Sequence, residues 1–307
     1  NSGEKIIFPN KEILNVYMRN IGEVKNCFGC GICAMACAKD AIKIELNIDG
    51  FYIPTLDTNK CVDCGLCAEV CAFLNDDLAV QNNPKQCYGA WSNDLMVRRR
   101  CSSGGVGYEL GKHLLYQGYK VCAVKYNTTE QRAEHYVASN EQEFMPSIGS
   151  KYIQSYTVDG FKAINRKEKH LVTGTPCQID SFRRYIQKFR VEDNFVLLDF
   201  FCHSVPSMWA WNKYTRIIEK EIGKITYVSW RNKITGWHDS WAIAIDGREE
   251  GEDVFNKVDW HDSYNIYISG KKHFYNSRLS QGDIFYKLFL GDYCSNPACQ
   301  KNCKYKY

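Results

Sequence analysis

The sequence is poor in proline, with 7 in 307 residues, which excludes collagen-like and proline-rich extended chains. It also lacks a long apolar run. The best, Phe195 to Cys202, is short and carries Asp199, whereas a membrane-spanning helix needs about 18 apolar residues, so no membrane span is expected. Charge of one sign is missing too: 39 Lys and Arg against 35 Asp and Glu leave +4, too mild a balance for a nucleic-acid partner. The local basic runs, Arg98-Arg99-Arg100 and Lys301, Lys304 and Lys306, read as solvated surface. No charged stretch followed by an apolar one opens the chain, so nothing marks it for export and a cytoplasmic protein is expected. The missing initiator Met and the stop inside a Cys/Lys cluster read as a chain trimmed at both ends. At 45% hydrophobic and 24% charged residues the chain is globular, and 307 residues suffice for two or three domains.

What is abundant is cysteine. Of the 16 cysteines, 8 fall in the first 71 residues. A secreted disulfide scaffold would be shorter and would spread its bridges, so the thiols read as reduced and available for metal.

Two runs repeat each other. Cys27-x2-Cys30-x2-Cys33-x3-Cys37 is followed 34 residues later by Cys61-x2-Cys64-x2-Cys67-x3-Cys71. This is the spacing of bacterial dicluster ferredoxins. Three thiolates at intervals of three wrap one 4Fe-4S cubane, and the fourth turns away to the partner cluster. Crossing the runs assigns Cys27, Cys30, Cys33 and Cys71 to one cluster and Cys61, Cys64, Cys67 and Cys37 to the other. Gly29, Gly31 and Gly65 let backbone amides approach the sulfur atoms. A zinc knuckle closes on four ligands in C-x2-C pairs and has no use for a third Cys at equal spacing. Ala38 and Ala72 stand where ferredoxins usually carry proline, a change that removes no ligand. Gly50 to Pro54 reads as a hairpin arm covering the clusters.

After Asn75 a polar stretch containing Asp76, Asp77, Gln81, Asn82, Asn83 and Pro84 reads as a linker. Helical and strand patterns then alternate. Helices are expected at Tyr108 to Leu115, Pro176 to Lys188 and Pro206 to Ile222, and strands at Tyr119 to Tyr126, His170 to Gly174 and Phe195 to Phe201. Ile225 to Trp230 and Ser240 to Ile245 read as antiparallel strands. The fold class is therefore α+β: a dicluster ferredoxin-like domain over residues 1–75, a linker over 76–86, and a larger α/β domain over 87–307 with a mixed sheet flanked by helices.

Three places in the larger domain carry chemistry. Ser102, Ser103, Gly104 and Gly105 precede a helix, where hydroxyls and open amides make an anion site. Cys177 sits at the first turn of a helix after Gly174-Thr175-Pro176, with Gln178 behind it, and a helix N-terminus favours a thiolate. Cys202 and His203 end an apolar strand, where α/β sheets place their ligands, and His203 is a candidate base.

Taken together, the ferredoxin repeat, the Ser-Ser-Gly-Gly turn, Gly149-Ser150-Lys151-Tyr152-Ile153-Gln154-Ser155, the Gly-Thr-Pro-Cys-Gln-Ile turn and Cys202-His203-Ser204-Val205-Pro206-Ser207 resemble, in this order, the coenzyme F-420 hydrogenase/dehydrogenase beta-subunit family. That family includes a plant 7-hydroxymethyl chlorophyll a reductase. The resemblance implies FAD as the hydride-handling cofactor and iron–sulfur clusters as wires. It also implies two partners: ferredoxin or another redox protein, and a small redox substrate such as a deazaflavin, a nicotinamide or an organic molecule. Self-association is left open. On this reading Ser102, Ser103, Gly104 and Gly105 face the flavin's phosphates, Lys151 offers a positive charge, and Tyr152, Gln154, Gly174, Thr175, Pro176 and Gln178 complete the flavin site. His203 and Lys151 are the catalytic candidates. Cys177, Cys202, Cys299 and Cys303 are expected to hold a third 4Fe-4S cluster. The family usually has Gly where this chain has Ser204, and an Arg-Pro-Ser-Cys-x2-Cys where this chain reads Asn296-Pro297-Ala298-Cys299-x3-Cys303. The expected activity is an iron–sulfur flavoprotein oxidoreductase. The alternative is a non-catalytic electron-transfer subunit of a larger complex. The many Asn, Lys, Tyr and Ile residues, and the oxygen sensitivity of exposed cubanes, point to an anaerobe in which electrons run from ferredoxin to the flavin.

Overall fold

In the computed structural model, residues 20–80, 86–233, 242–246, 267–270, 273–276 and 283–305 are described. Each ferredoxin-type run turns sharply at glycine and then winds a short helix. Gly31 and Gly65 sit in the left-handed region at φ 76° and 80° as N-caps of α1 (Ile32–Ala36) and α2 (Leu66–Glu69), a conformation a Cβ would strain. Between them β1 (Ile42–Leu46) and β2 (Tyr52–Leu56) pair antiparallel, turning at Gly50 with φ 81°. Alternation along β1 turns Ile42 and Ile44 inward and leaves Lys43 and Glu45 out, as the period of a strand requires.

The larger part begins with α3 (Leu95–Arg100), capped by the Asp94 carboxylate on the Met96 and Val97 amides. Next come α4 (Val106–Tyr116), which is followed by Gly118 at φ 81°, β3 (Lys120–Asn127) and β4 (Arg132–Ala138). A one-turn α5 (Glu141–Phe144), β5 (Ser155–Tyr156), α6 (Val158–Lys162) and β6 (His170–Thr173) lead to α7 (Pro176–Phe189) and β7 (Phe195–Leu198). These strands form a five-stranded mixed sheet ordered β5-β4-β3-β6-β7. Only β3 and β4 pair antiparallel; the other neighbours are parallel.

Strand alternation splits the core between the two faces of this sheet. Cys122 and Val172 face α7, where Ile179, Phe182 and Ile186 pack with Ile32 and Val70 of the ferredoxin-like part. Val121, Ala123 and Leu171 face the other way, onto Tyr108 and Leu114 of α4. The remaining described elements are α8 (Met208–Ile222), β8 (Tyr227–Asn232), β9 (Ala242–Asp246), β10 (Tyr267–Gly270), β11 (His273–Asn276), α9 (Ile284–Leu290) and α10 (Pro297–Asn302). The four strands make a separate antiparallel sheet ordered β10-β11-β9-β8. Trp211, Trp230, Ile243, Ile245 and Phe285 join one core with Ile42, Ile44 and Tyr52 of the first hairpin. The ferredoxin-like part therefore shares its core with both sheets.

Two expectations need correction. The apolar strand expected to run from Phe195 to Phe201 stops at Leu198; Phe200 and Phe201 are 57% and 82% exposed, so the run was apolar without being buried throughout. The two later strands do pair antiparallel, but in the second sheet rather than as part of the mixed one. Ser240, the linker residues Gln81 to Pro84, and Lys306 lie outside the described residues. Among the described residues no helix is long and apolar enough to cross a membrane.

Candidate iron–sulfur and flavin site

Cys27, Cys30 and Cys33 from the first run and Cys71 from the second line one cavity, closed by Ile44 and Pro54 of the hairpin. The Gly29 amide donates to the Cys27 sulfur at 3.3 Å. Burial raises all four, and neighbouring thiols add to it at Cys27, Cys33 and Cys71; Cys71 is pushed up to about 12. Three buried thiols and a half-buried one so close together keep their protons unless a cation takes their place, the situation of a metal-binding thiolate set. The donor set, the apolar walls and the amide aimed at sulfur fit a 4Fe-4S cluster. Among the described residues no three His, Cys, Asp or Glu side chains converge as a single metal ion requires; a cubane holds its thiolates farther apart than one ion does.

The second set is nearer the surface. Cys67 is shifted upward by burial and then by Cys64 and Cys37, which brings the crossed member Cys37 to the second run. The amides of Asp63 and Ala41 donate to Cys61 at 3.5 Å and Cys37 at 3.4 Å. Cys64 is exposed.

The third set comes from three elements. Cys177 is in the first turn of α7, Cys202 follows β7, Cys299 is in α10 and Cys303 caps it. A bridge between Pro206 and Ser295, with Ser207 N donating to Cys294 O at 2.8 Å and Asn296 N to Val205 O at 2.9 Å, pins the two loops together. Cys299 lies within α10 and Cys303 follows its last residue in extended backbone, so the Cys-x3-Cys pair spans the helix end. Burial and the thiols of Cys299 and Cys303 push Cys202 up to about 12. Cys299 is pushed up to about 11 by burial and Cys303, offset in part by the Ser204 hydroxyl. Cys177 is raised by burial, then by Cys30 and Cys299. The expected dipole-stabilised thiolate is thus corrected: desolvation outweighs the helix N-terminus for the bare thiol.

The first and third sets are neighbours. Cys30 Sγ lies 3.5 Å from Ser181 Oγ, one turn along α7 from Cys177, and Ser181 also accepts from Ala72 N at 2.9 Å. Thr157 donates to Cys30 O at 3.0 Å, and Asn296 Nδ2 donates to Cys27 O at 3.0 Å. Ser181, Thr157 and Asn296 were not singled out from sequence, because a polar residue that meets a loop more than 100 residues away leaves no local pattern.

The expected flavin contacts are mostly occupied by the protein itself. Ser102 is buried, donates to Arg231 O at 3.1 Å and accepts from Ser150 N at 2.8 Å. The N-cap of α4 is Gly105 at φ 89°, with no side chain capping it, so the serine cap is corrected to an open helix start beside the exposed Ser103. Lys151 Nζ donates to the carbonyls of Pro146, Ser147, Ile148 and Gly149 at 2.7–3.3 Å, and burial pushes its amine down to about 7. Gln154 is buried and spans Tyr52 N and Phe28 O, both at 3.2 Å, so it fastens the hairpin to the cluster loop. Thr175 and Gln178 form a capping box over Gly174 and Pro176, Thr175 Oγ1 lies 3.2 Å from Cys177 Sγ, and Gln178 reaches Ser155 Oγ at 3.2 Å. Tyr152 and His203 flank Phe289, with ring centroids 5.7 Å and 5.4 Å away. His203 Nε2 is 3.3 Å from Asp292 Oδ1 and half exposed. The open α4 start fits a phosphate; the side chains expected at the flavin ring are engaged elsewhere.

Residues 26–74 match the family described as 4Fe-4S dicluster domain, and residues 167–305 match the C terminus of the family described as Coenzyme F420 hydrogenase/dehydrogenase, beta subunit. The chain is similar to this beta-subunit family in its C-terminal part. It is an iron–sulfur electron-transfer domain joined to a beta-subunit-type domain. No curated protein matches it by sequence. A solved structure with similarity is the F420-reducing [NiFe] hydrogenase complex of Methanosarcina barkeri, at 14% identity and a TM-score of 0.42. The match covers 68% of this chain and 62% of that one.

Proposed function

We propose that this protein is an iron–sulfur flavoprotein oxidoreductase with three 4Fe-4S clusters and FAD. It takes electrons from ferredoxin or a similar redox protein and delivers them to a small redox substrate. The observation that carries the reading is the series of thiol sets: exposed Cys64 in one, half-buried Cys30 in the next, and Cys177 one helical turn from the serine that contacts Cys30. Cys27, Cys30, Cys33 and Cys71 hold the first cluster, Cys61, Cys64, Cys67 and Cys37 the second, and Cys177, Cys202, Cys299 and Cys303 the third. The set with exposed Cys64 is where a protein donor approaches, and the other two, with no exposed cysteine, keep water from the path.

FAD, when bound, supplies the exchange between single electrons and hydride. The uncapped start of α4 at Gly104 and Gly105 receives its phosphates. Lys151 gathers the four carbonyls of the loop before it, a positioning role rather than a direct contact. His203, paired with Asp292, is the group placed to hold a proton near the third thiol set. The test is the composition of the anaerobically reconstituted full chain. Iron for three clusters and flavin released on denaturation are expected; iron for two clusters, or no flavin, would contradict the reading.

A further inference from the structure

Ser181 lies on α7 and is fully buried, 0% exposed. A hydroxyl that far from water needs partners for both its oxygen and its hydrogen. Its Oγ accepts at 2.9 Å from the amide of Ala72, the residue after Cys71, and lies 3.5 Å from Cys30 Sγ. Both contacts are within the first thiol set. With the amide on its oxygen, the hydroxyl hydrogen is the group left to face the sulfur, and a sulfur that has exchanged its proton for iron can only accept. Asp180, the residue before, accepts from Ala79 N at 2.7 Å, so two consecutive side chains of α7 grip the segment after Cys71 and hold the serine in place. Cys177, one turn back, has a hydroxyl of its own in Thr175, with Oγ1 at 3.2 Å. The second set is treated differently. There the Asp63 carboxylate lies 3.6 Å from Cys61 Sγ and is held by Asn20 Nδ2 at 2.5 Å; a carboxylate has no hydrogen to give the sulfur.

We propose that Ser181 is a redox-positioning residue: its hydroxyl donates to the iron-bound Cys30 sulfur and raises the potential of the Cys27–Cys30–Cys33–Cys71 cluster relative to the Cys61–Cys64–Cys67–Cys37 cluster, drawing electrons inward. This rests on the two N-terminal clusters of the reading above and not on the third. Reduction adds negative charge that spreads onto the sulfur atoms, so a donor to sulfur is bonded more strongly in the reduced state and favours it. Burial strengthens the effect, because a hydrogen bond is electrostatically stronger in a low-dielectric interior than in water. One electron moves from the outer cluster, filled by a reduced donor protein, to the inner one, with no bond made or broken. The hydroxyl belongs to the larger domain, so the potential of the ferredoxin-like part is set by its packing against α7.

The test is a redox titration followed by electron paramagnetic resonance on the reconstituted full chain, comparing wild type with Ser181→Ala. The loaded variant should show one N-terminal midpoint shifted downward, by about tenfold in the reduced-to-oxidised ratio at fixed potential, or ~59 mV for one electron. The other midpoints and the iron content should stay as in wild type. Unchanged midpoints, or all midpoints moving together, would overturn the proposal. Ser181→Ala also strips the Ala72 amide of its acceptor, a cost that could expel the cluster. If the single variant loses iron, the double variant Ala72→Pro/Ser181→Ala removes amide and hydroxyl together and is read in the same way: one midpoint lowered supports the proposal, and none lowered overturns it. Failure of the underlying reading would show separately, as wild-type protein lacking the iron of two N-terminal clusters.

Discussion

The Cys30 thiol and the Ser181 hydroxyl, 151 residues apart in the chain, meet at 3.5 Å. Through that contact the ferredoxin-like part packs against the helix that carries Cys177, and the proposed electron path is a matter of packing rather than of a flexible tether.

If the third thiol set holds a cluster, Cys177→Ser and Cys202→Ser should each lower the iron content by about a third while the N-terminal clusters persist. Iron and sulfide analysis with low-temperature electron paramagnetic resonance checks this. Unchanged iron would leave these as ordinary buried thiols.

Gly29 has φ +64°, and a Cβ there would lie 2.1 Å from Gln154 Nε2 and 2.6 Å from Tyr52 O. Gly29→Ala is expected to destabilise the protein by about 2–4 kcal/mol and to expel the first cluster before the second. Denaturant unfolding and the rate of cluster bleaching by a chelator measure the two effects. Gln154→Leu removes both ties to Tyr52 N and Phe28 O, and should cost about 2–3 kcal/mol without changing the second cluster.

Asn296 caps α10 through the Ala298 amide at 2.8 Å and reaches Cys27 O at 3.0 Å. Asn296→Ala should cost about 2–3 kcal/mol and weaken the first and third clusters together. Loss of the third alone would mean that the cap matters and the link to Cys27 does not.

His135 is buried with Nε2 3.2 Å from Thr173 O and with Nδ1 unpartnered. Burial pushes the imidazole down to about 4, against an ordinary value near 6.5 in the unfolded chain. Between these values the unfolded chain binds the proton and the folded one does not, so folding stability falls as pH drops from about 6.5 to about 4, by up to ~3 kcal/mol. A His135→Gln variant should lose that component of the pH dependence. Thermal melts of both proteins across this window should therefore converge as the solution is acidified; parallel curves would show that His135 is not the group responsible.

The parts of this molecule that were legible in the sequence are those where spacing alone dictates geometry. Three cysteines at intervals of three, with glycine at the left-handed turns, can do little but wrap a cavity, and Gly174-Thr175-Pro176 with Gln178 three residues after Thr175 specifies a capped helix start. The short apolar runs at β3 and β6 were readable because strands buried on both faces lose their alternation. Phe200 and Phe201 were misread for the same reason, since an apolar run carries no sign of where burial ends. Ser102, Lys151 and Gln154 were recognised as polar residues in special turns, yet their partners are carbonyls and amides of other loops. Such partners are set by tertiary packing and cannot be read from residue type. Asp180 and Ser181 were invisible for a related reason: on α7 they look like ordinary polar helix positions until the ferredoxin-like part is laid against them.

The most direct test of the central claim, a continuous path from the N-terminal clusters through Cys177 to the flavin, is anaerobic stopped-flow mixing of the flavin-loaded full chain with reduced ferredoxin, in wild type and Cys177→Ser. The account predicts that cluster absorbance bleaches first in both proteins and that flavin absorbance follows only in the wild type. Flavin bleaching at the wild-type rate in Cys177→Ser, or ahead of the clusters in either protein, would contradict it.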